Sequence, residues 1–289
     1  MTLGDLIEKT ARRFKAARLH YGHGTDNAHD EAAFLVLRAL RLPFEVSWTR
    51  NVTPAGHKKI ESLIRKRIEQ RIPTAYLLNE AWLDDHSFYV DRRVIIPRSH
   101  IAELLRERLK PWLRRPVRRV LDLCTGSGCL AVLAAQRFAR AEVDASDISP
   151  AALAVARINV GKYGLKKRVR LMKSDLFSAI EGSYDIIITN PPYVDRPSMK
   201  KLPREFCWEP GIALAGGADG LMPVKKIVKD SGRHLAPGGL LVCEIGDGRK
   251  ALERAFPALD FLWPETAAGA GHVFVLQAPW RVYGVSDGN

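Results

Sequence analysis

The sequence predicts an α/β fold in which helices cover both faces of a mostly parallel sheet, preceded by a small helical domain. Two observations predict it. From Val117 onward, strand-like and helix-like segments alternate, which is the pattern of a parallel sheet with crossover helices. Before residue 73, the apolar residues recur at helical spacing instead. The length of 289 residues suits about two domains.

Three helices are predicted within residues 1–72. The first begins near Leu3 and is stopped by Gly22 and Gly24, and the second ends before Pro43. The third begins at Thr53-Pro54, because a threonine N-cap followed by proline in the first turn is a common helix start. Its outer face is expected to carry six cationic side chains, those of Lys58, Lys59, Arg65, Lys66, Arg67 and Arg71.

Residues 75–97 change to a strand pattern. A hairpin is predicted around the polar turn Asp84-Asp85, followed by an extended segment at Val94-Ile95-Ile96. Trp82 in this hairpin is interpreted as a buried packing residue rather than as an aromatic that faces a substrate. A helix is then expected from Ile101 to Leu113.

A linker is predicted at residues 110–116, where prolines and arginines interrupt the apolar pattern. Four arginines in and just after it could bind phosphates, namely Arg114, Arg115, Arg118 and Arg119. A solvated connector is the alternative, because most runs of charge are simply exposed to water.

The remaining chain alternates between the two kinds of element. Strands are predicted at residues 119–123, 141–146, 169–172, 184–189 and 239–245. Helices are predicted from Cys129, from Ser149 and near residues 224–234. Two strand-like segments, 261–262 and 273–276, follow with no helix between them, so the sheet is expected to end in an antiparallel hairpin.

Composition excludes several classes of protein. Hydrophobic residues make up 46% and charged residues 27%, which is enough apolar content for a packed core. No apolar run approaches the roughly 18 residues of a membrane span, and Asp5 and Glu8 argue against a secretory leader. The four cysteines lack the spacing of zinc sites or disulfide frameworks. We therefore expect a cytoplasmic protein with no metal and no membrane partner.

The net charge of +13 is unevenly distributed. Residues 1–120 hold 24 Lys+Arg and 14 Asp+Glu, a net of +10, whereas residues 121–289 hold 21 and 18, a net of +3. Such a surplus favours a partner rich in nucleic acid. Because the surplus lies in the first part of the chain, we expect it to form a docking surface rather than to line the reaction site.

A glycine-rich loop joins the first strand of the α/β part to its first helix. Gly126 and Gly128 permit a tight turn and close approach of a ligand to the backbone. Gly126, Gly128 and Ala131 also fit a dinucleotide fingerprint, and Asp147 could hold a ribose in either case. A glycine turn without a ligand is the remaining interpretation.

Carboxylates near the strand ends favour S-adenosylmethionine over a nicotinamide cofactor. Asp122 is expected to face the ammonium of an amino-acid moiety, where a pyrophosphate would be repelled. Asp147 is expected to bind the ribose hydroxyls. Asp175 is expected to accept a hydrogen bond from the adenine amino group, with Leu176 or Phe177 against the ring.

The segment Asn190-Pro191-Pro192-Tyr193 directly follows the fourth strand of this part. The Asn190 side-chain oxygen and the Pro191 carbonyl could accept both hydrogens of one planar NH2 group, and Tyr193 could stack on that plane. The prolines offer acceptors without competing N–H donors. This arrangement suits a weakly nucleophilic amide or exocyclic amine, so catalysis would consist mainly of orientation and electrostatics. A tight turn without a catalytic role is the alternative.

With these motifs the sequence resembles the amino-group methyltransferases of the Rossmann-like, S-adenosylmethionine-dependent superfamily. Two branches share Asn-Pro-Pro-Tyr, the adenine-N6 methyltransferases of DNA or RNA and the protein N5-glutamine methyltransferases. The glutamine branch is the one that five flanking stretches resemble, at residues 73–77, 88–91, 94–99, 208–214 and 216–221. The resemblance implies a mostly parallel seven-stranded sheet with a C-terminal antiparallel hairpin. It also implies a substrate-recognition domain at 1–72, a hairpin and linker helix at 73–116, and a catalytic domain at 117–289.

Within the glutamine branch, residues 97–104 resemble the enzymes that modify the third protein of the large ribosomal subunit. The release-factor enzymes carry Pro-Arg-Pro followed by Thr-Glu, which is missing here. Two residues depart from the pattern. Asn79 stands where the branch usually has glycine, and His100 stands where the ribosomal-protein group usually has proline. His100 is interpreted as a structural residue at a helix start.

These considerations give two sets of candidate residues. The catalytic candidates are Asn190, Pro191, Pro192 and Tyr193. The cofactor-binding candidates are Asp122, Cys124, Thr125, Gly126, Ser127, Gly128, Asp147, Asp175, Leu176 and Asn190.

The resemblance implies methyl transfer from S-adenosylmethionine to a glutamine side chain of a large-subunit ribosomal protein. That substrate is expected within the ribosome or an assembly intermediate, with ribosomal RNA near the basic N-terminal half. Three alternatives stay open at this point: an N6-adenine methyltransferase, a release-factor glutamine methyltransferase, and a non-enzymatic ribosome-assembly factor.

Overall fold

The computed structural model describes residues 1–113 and 115–280. Arg114, one of the four linker arginines, and residues 281–289, the end of the predicted third domain, lie outside the described residues. The chain forms two compact units. The first comprises residues 1–92, 96–98 and 202–209, and the second comprises residues 93–95, 99–201 and 210–289.

The first unit is mainly helical. Its helices are α1 (Leu3–Ala16), α2 (Ala28–Ala39), α3 (Pro54–Gln70) and α4 (Thr74–Leu78), its strands are β1 (Ala81–Leu83) and β2 (His86–Phe88), and a 3₁₀ turn covers Arg204–Trp208. The three predicted helices are confirmed, and their caps explain where they start. Thr2 forms a capping box with Asp5, and Asn27 and Thr53 each accept a backbone N–H of the first turn.

The buried face of these helices forms one apolar core, which includes Leu3, Phe14, Leu35, Ile60 and Ile64. The first helix ends at Ala16, before the predicted stop at the glycines, because the chain turns at Arg18 with φ +50°. The hairpin around Asp84-Asp85 is confirmed, with β1 antiparallel to β2.

Residues 74–78 are helical rather than extended, which corrects the strand pattern predicted from residue 75. The helix ends at Asn79, which adopts the left-handed conformation at φ +52°. Asparagine is one of the few side chains that tolerate this conformation, so it can replace glycine here. Its side-chain amide also donates to the Val90 carbonyl at 3.1 Å. Trp82 is half-buried, and its indole N–H donates to Glu80 at 2.7 Å.

Arg67 is not on the outer face of α3, which corrects the sequence prediction. Its side chain is 1% exposed and pairs with the buried carboxylates of Glu31 and Glu205. Arg71 is half-buried and donates to the Ala17 and Arg18 carbonyls. Helical spacing alone could not reveal that Arg67 is buried, because a buried cation needs carboxylate partners and these come from distant positions in the chain. The exposed cations of this helix are Lys58, Lys59, Arg65 and Lys66.

The second unit contains the sheet. Its helices are α5 (Ile101–Arg106), α6 (Cys129–Arg137), α7 (Pro150–Lys162), α8 (Arg196–Met199), α9 (Met222–Ser231) and α10 (Arg249–Ala255). Its strands are β3 (Arg119–Leu123), β4 (Glu142–Asp147), β5 (Val169–Lys173), β6 (Tyr184–Thr189), β7 (Leu235–Glu244), β8 (Glu265–Thr266), β9 (Gly269–Ala270) and β10 (Val273–Gln277). Two 3₁₀ turns cover Gly211–Ala213 and Gly232–His234.

The main sheet has the order β10-β7-β6-β3-β4-β5, and every neighbouring pair is parallel except β10 with β7. The α/β class is therefore confirmed. The chain enters the sheet at β3, runs outward to β5, and then crosses to β6 on the other side of β3. This reversal places a crevice at the carboxyl ends of β3 and β6, where α/β proteins commonly bind ligands.

The sheet has six strands within the described residues rather than the seven expected. Leu262 and Val275 exchange one pair of backbone hydrogen bonds, at 3.0 and 2.8 Å, and no strand extends from that pair. Pro264 occupies the next bonding position and has no N–H, so the ladder cannot continue. The predicted terminal hairpin is thus reduced to a single bridge, and β8 pairs with β9 in a separate small hairpin.

The predicted helix from Ile101 to Leu113 is also shorter than expected. It ends at Arg106, because Arg108 and Leu109 adopt left-handed φ angles of +53° and +56°. The Leu109 N–H returns to the Leu104 carbonyl at 2.9 Å, as in a helix C-cap, and Pro111 follows.

Two of the linker arginines are paired with carboxylates. Arg115 binds Asp185 at 2.7 Å, and Arg119 binds Asp144 at 3.0 Å while lying over the Tyr184 ring. These pairs tie the chain to the sheet and leave Arg118 exposed. The residues predicted as a linker lie within the second unit. The domain boundaries predicted at 72/73 and 116/117 stay a prediction. No helix among the described residues has the length and apolar character needed to cross a bilayer.

Candidate functional site

A cleft opens in the second unit at the carboxyl ends of four neighbouring strands. Its empty volume, including the mouth, is about 1090 Å³. Each strand contributes its last residues or those just beyond, with Cys124 after β3, Asp147 on β4, Asp175 after β5 and Asn190 after β6. The parallel register brings these side chains together, since equivalent ends of parallel strands meet at one sheet edge.

The glycine loop after β3 forms one wall of this cleft. Cys124, Gly126 and Gly128 all have positive φ, of +58°, +54° and +78°. Only Cys124 and Gly126 of the loop reach the cleft surface. Gly128 instead faces α7, where an added Cβ would lie 3.0 Å from the Ala156 Cβ. Its role is therefore to let two helices pack closely.

The other candidates in the loop hold its shape. Thr125 donates its N–H to the Ser146 carbonyl at 2.9 Å, and the Ser127 carbonyl accepts from the Asn159 side chain at 2.8 Å. Both residues are buried and neither lines the cleft. Their expected contact with a cofactor stays a prediction. Their observed role is to hold the loop in place through these two hydrogen bonds.

Asp122 is fully buried and is not among the residues that line the cleft, so its expected contact with a ligand stays a prediction. One oxygen accepts from the Thr125 hydroxyl at 2.5 Å and from the Ala131 N–H at 3.0 Å. The other oxygen has no hydrogen-bond partner among the described residues. Burial raises the pKa of this carboxyl to about 7. Asp122 thus ties the two ends of the glycine loop together.

Asp147 and Asp175 are the two carboxylates of the cleft wall. Asp147 is half-buried and accepts the backbone N–H groups of Gly126 and Ser149, each at 2.9 Å. Burial raises its pKa. Asp175 is exposed, and Leu176 beside it lines the cleft with a left-handed φ of +46°. Carboxylate and apolar groups therefore alternate along this wall.

Asn190 and Pro192 line the cleft, whereas Pro191 is buried and Tyr193 is turned toward the sheet. No group within residues 1–113 and 115–280 hydrogen-bonds the Asn190 side-chain amide, so it is available to a ligand. The Tyr193 hydroxyl donates to Glu244 at 3.1 Å. Thr189, just before the motif, donates to the Leu123 carbonyl at 3.0 Å and so fixes the end of β6 against β3.

Several cleft residues were missed by sequence reasoning. Three short segments complete the wall, at residues 93–95, 210–215 and 222–226. Two of them lie in stretches that resemble the glutamine branch, which is the signal that could have identified them. Ser146, Ile148 and Ser149 could have been found by extending the strand-end argument to β4. Arg93 and Lys226 also line the cleft, so its wall is not purely acidic.

Comparison with known proteins identifies the family. Residues 101–209 match the family described as Methyltransferase small domain. The hMettl16 catalytic domain, solved in complex with MAT2A 3'UTR hairpin 6, has a TM-score of 0.51 at 15% identity, and the match covers 83% of this chain and 88% of that one. At such low identity the match shows a shared fold only.

Two curated relatives are much more similar. The ribosomal protein uL3 glutamine methyltransferase of Neisseria meningitidis serogroup B is 47% identical over 280 residues, which cover 95% of this chain and 92% of the relative. The protein of the same name from Bordetella pertussis is 49% identical over 281 residues, with coverage of 95% and 94%. The chain belongs to the family of ribosomal protein uL3 glutamine methyltransferases.

Proposed function

We propose that this protein transfers a methyl group from S-adenosylmethionine to the side-chain amide nitrogen of a glutamine in ribosomal protein uL3. One observation carries the proposal beyond family membership: the Asn190 side-chain amide lies at the wall of the cleft with no hydrogen-bond partner among the described residues. A carboxamide is a suitable partner for a glutamine amide, because its oxygen accepts a hydrogen of NH2. The reaction needs orientation more than a strong base.

The donor set of the cleft fits S-adenosylmethionine. This group supplies a methyl on a positively charged sulfur, next to an amino acid, a ribose and an adenine. Asp147 would accept from the ribose hydroxyls, since its oxygens lie at the end of β4 beside the glycine loop. Asp175 would accept from the adenine amino group, with Leu176 against the ring. Two carboxylates at the strand ends favour a cationic ligand.

The four residues from Asn190 to Tyr193 would orient the substrate. The Asn190 oxygen would accept one amide hydrogen, and the Pro191 carbonyl would accept the other. Holding both hydrogens in one plane aims the nitrogen at the methyl group and stabilises the positive charge that develops on it. The proton then leaves from a cationic nitrogen, so a weak acceptor or water suffices.

The partner is proposed to be uL3 surrounded by ribosomal RNA. The support is electrostatic, because residues 1–120 carry a net +10 and the exposed cations of α3 belong to that half. Such a surface attracts phosphates through counterion release. Because the second part of the chain has a net charge of only +3, RNA is proposed as the surroundings of the substrate rather than as the methyl acceptor.

The experiment is a transfer assay with labelled S-adenosylmethionine and two substrates, purified uL3 and ribosomal particles from cells that lack this activity. The label should appear on one uL3 peptide, located by mass spectrometry on a glutamine. Asn190→Ala should lower the rate at least 100-fold. Asn51→Ala, an exposed asparagine of the first unit, is the matched control and should leave the rate unchanged.

The same assay with purified RNA or DNA, or with a release factor, in place of uL3 tests the alternatives. Label on purified RNA or DNA but not on protein would establish an adenine methyltransferase. Label on a release factor alone would establish a release-factor glutamine methyltransferase. Binding to ribosomal particles without any transfer would indicate an assembly factor.

A further inference from the structure

A buried glutamate lies directly behind the Asn-Pro-Pro-Tyr motif. Glu244 is the last residue of β7, which is parallel to β6 with Cys243 opposite Thr189. The motif begins immediately after Thr189, so the carboxylate sits at the same sheet edge as the motif. Glu244 is 2% exposed and does not line the cleft. Its hydrogen-bond partners are all protein groups.

Three donors converge on this carboxylate. One oxygen accepts from the Tyr193 hydroxyl at 3.1 Å. The other accepts from the Ser99 hydroxyl at 2.6 Å and from the His100 N–H at 2.9 Å. No lysine or arginine among the described residues forms an ion pair with Glu244. Burial raises the pKa of the carboxyl. A buried carboxylate therefore lowers the stability of the fold relative to an apolar residue at the same position.

His100, the second departure from the family pattern, contributes to this cluster. Its φ of −69° is one that proline also adopts, so the backbone path would be the same with either residue. Proline has no N–H, however, and could not donate to Glu244. The imidazole lies 3.0 Å from Glu103. His100 thus gives the buried carboxylate a donor that a proline at this position could not give.

Tyr193 is held on its other sides by three glycines. A Cβ on Gly216 would lie 2.7 Å from the Tyr193 Cα, and one on Gly220 would collide with the Tyr193 carbonyl oxygen. A Cβ on Gly246 would lie 3.1 Å from the ring carbon Cδ2. The backbone and ring of Tyr193 are therefore closely packed, and the hydroxyl is the remaining group whose position needs a polar partner.

We propose that Glu244 is a positioning residue that fixes the Tyr193 ring through its hydroxyl, and thereby sets the orientation of the substrate amide at Asn190. The inference rests on the proposed function. Only Pro191 and Pro192 separate Tyr193 from Asn190, so a ring that is free to shift would also loosen the Asn190 side chain and the Pro191 carbonyl. The substrate amide would then be poorly aligned with the methyl group, which lowers the rate of transfer. Binding of S-adenosylmethionine would be unaffected, because Glu244 lies outside the cleft wall.

Glu244→Gln is the sharpest test. The amide oxygen must face Ser99 and the His100 N–H, which both donate, so the NH2 group faces Tyr193. The charged acceptor of the Tyr193 hydroxyl is thereby replaced by a neutral donor to its oxygen, and the charge-assisted bond is lost. We expect kcat to fall about tenfold, with the dissociation constant of S-adenosylmethionine unchanged within twofold. Ser99→Ala is the matched control, since it removes a bond to the opposite oxygen, and kcat should stay within about twofold.

A double-mutant cycle separates positioning from a general structural effect. In the Tyr193→Phe background, Glu244→Gln should lower kcat no further, because the hydroxyl through which Glu244 acts is absent. Effects of the two substitutions that multiply would overturn the proposal, as would an unchanged kcat in the single variant. A rise in the dissociation constant that matches the loss of kcat would also overturn it. Urea unfolding of each variant verifies that the fold is retained.

A second readout does not depend on the reaction. With ¹³C-labelled tyrosine, the resonance of the Tyr193 Cζ, assigned by its loss in Tyr193→Phe, should shift in Glu244→Gln and stay in place in Ser99→Ala. A resonance that does not move in Glu244→Gln would overturn the positioning role. Failure of the unsubstituted protein to methylate uL3 would instead overturn the proposed function, so the two failures are distinguishable.

Discussion

The Asp147 carboxylate accepts the backbone N–H of Gly126 at 2.9 Å, which joins the end of β4 to the glycine loop after β3. Its other oxygen accepts the Ser149 N–H at 2.9 Å, at the start of α7. One side chain thus connects a strand, a loop and a helix at the cleft wall. A change at Asp147 is therefore expected to affect both the loop and any ligand bound against it.

Asp147→Ala is expected to weaken the binding of S-adenosylmethionine at least tenfold, because the ribose would lose its acceptor and the loop would lose its tie. Asp147→Asn should have a smaller effect, since one oxygen remains. Isothermal calorimetry measures both. Asp260→Ala, at an exposed aspartate, is the control, and an equal loss there would contradict the prediction.

Gly128→Ala is expected to destabilise the protein more than Gly126→Ala. Both glycines have positive φ, so each substitution has a conformational cost of about 1 kcal/mol. At Gly128 the added Cβ would also meet Ala156 at 3.0 Å, whereas at Gly126 nothing lies within 4 Å. Urea unfolding gives the two free energies, and equal losses would show that the packing of α6 on α7 does not matter.

Asp122 is expected to make the stability of the protein depend on pH. Burial raises its pKa in the folded state to about 7, above the ordinary value of 3.8. Its contribution to stability is therefore full below about pH 4 and is lost as the pH rises through 7. The free energy of unfolding of the protein minus that of Asp122→Asn should fall between pH 4 and pH 8. A difference that does not vary with pH would contradict the prediction.

Arg67→Met is expected to destabilise the helical unit by about 3 kcal/mol or more, because the buried Glu31 carboxylate would lose its cation and Glu205 would keep only Arg71, at 3.4 Å. Arg13 pairs with Glu61 at 2.7 Å, but the two side chains are 34% and 51% exposed. Arg13→Met should therefore cost less than about 1 kcal/mol. Chemical denaturation of the two variants makes the comparison, and similar losses would contradict the burial argument.

Neutralising the exposed cations of α3 should weaken action on ribosomal particles. In the triple variant Lys58→Gln, Arg65→Gln and Lys66→Gln, the rate on particles should fall and its dependence on salt should become shallower. The rate on purified uL3 should change little. Transfer assays from low to high salt measure both substrates. An equal loss on the free protein would show that the basic face does not act through RNA.

The sequence by itself determined the alternation of strands and helices from β3 to β6, the glycine loop and the Asn-Pro-Pro-Tyr motif. These follow from local rules, such as the N-cap at Thr53-Pro54 and the apolar run that became β6. It also placed Asp147, Asp175, Leu176 and Asn190, which all line one cleft. Strand ends identify such residues without tertiary information, because equivalent ends of parallel strands share an edge.

Only the tertiary structure decided which charged residues are buried and what they bind. Arg67 has the spacing of an exposed residue, yet it lies in a core because Glu31 and Glu205 reach it from distant positions in the chain. Asp122 belongs to a motif that suggests ligand contact, yet it ties the loop from behind. Glu244 carried no signal in the sequence, because its partners Tyr193, Ser99 and His100 are separated from it by 51 to 145 residues. A buried charge is stabilised by groups that folding brings together, and local sequence contains no record of them.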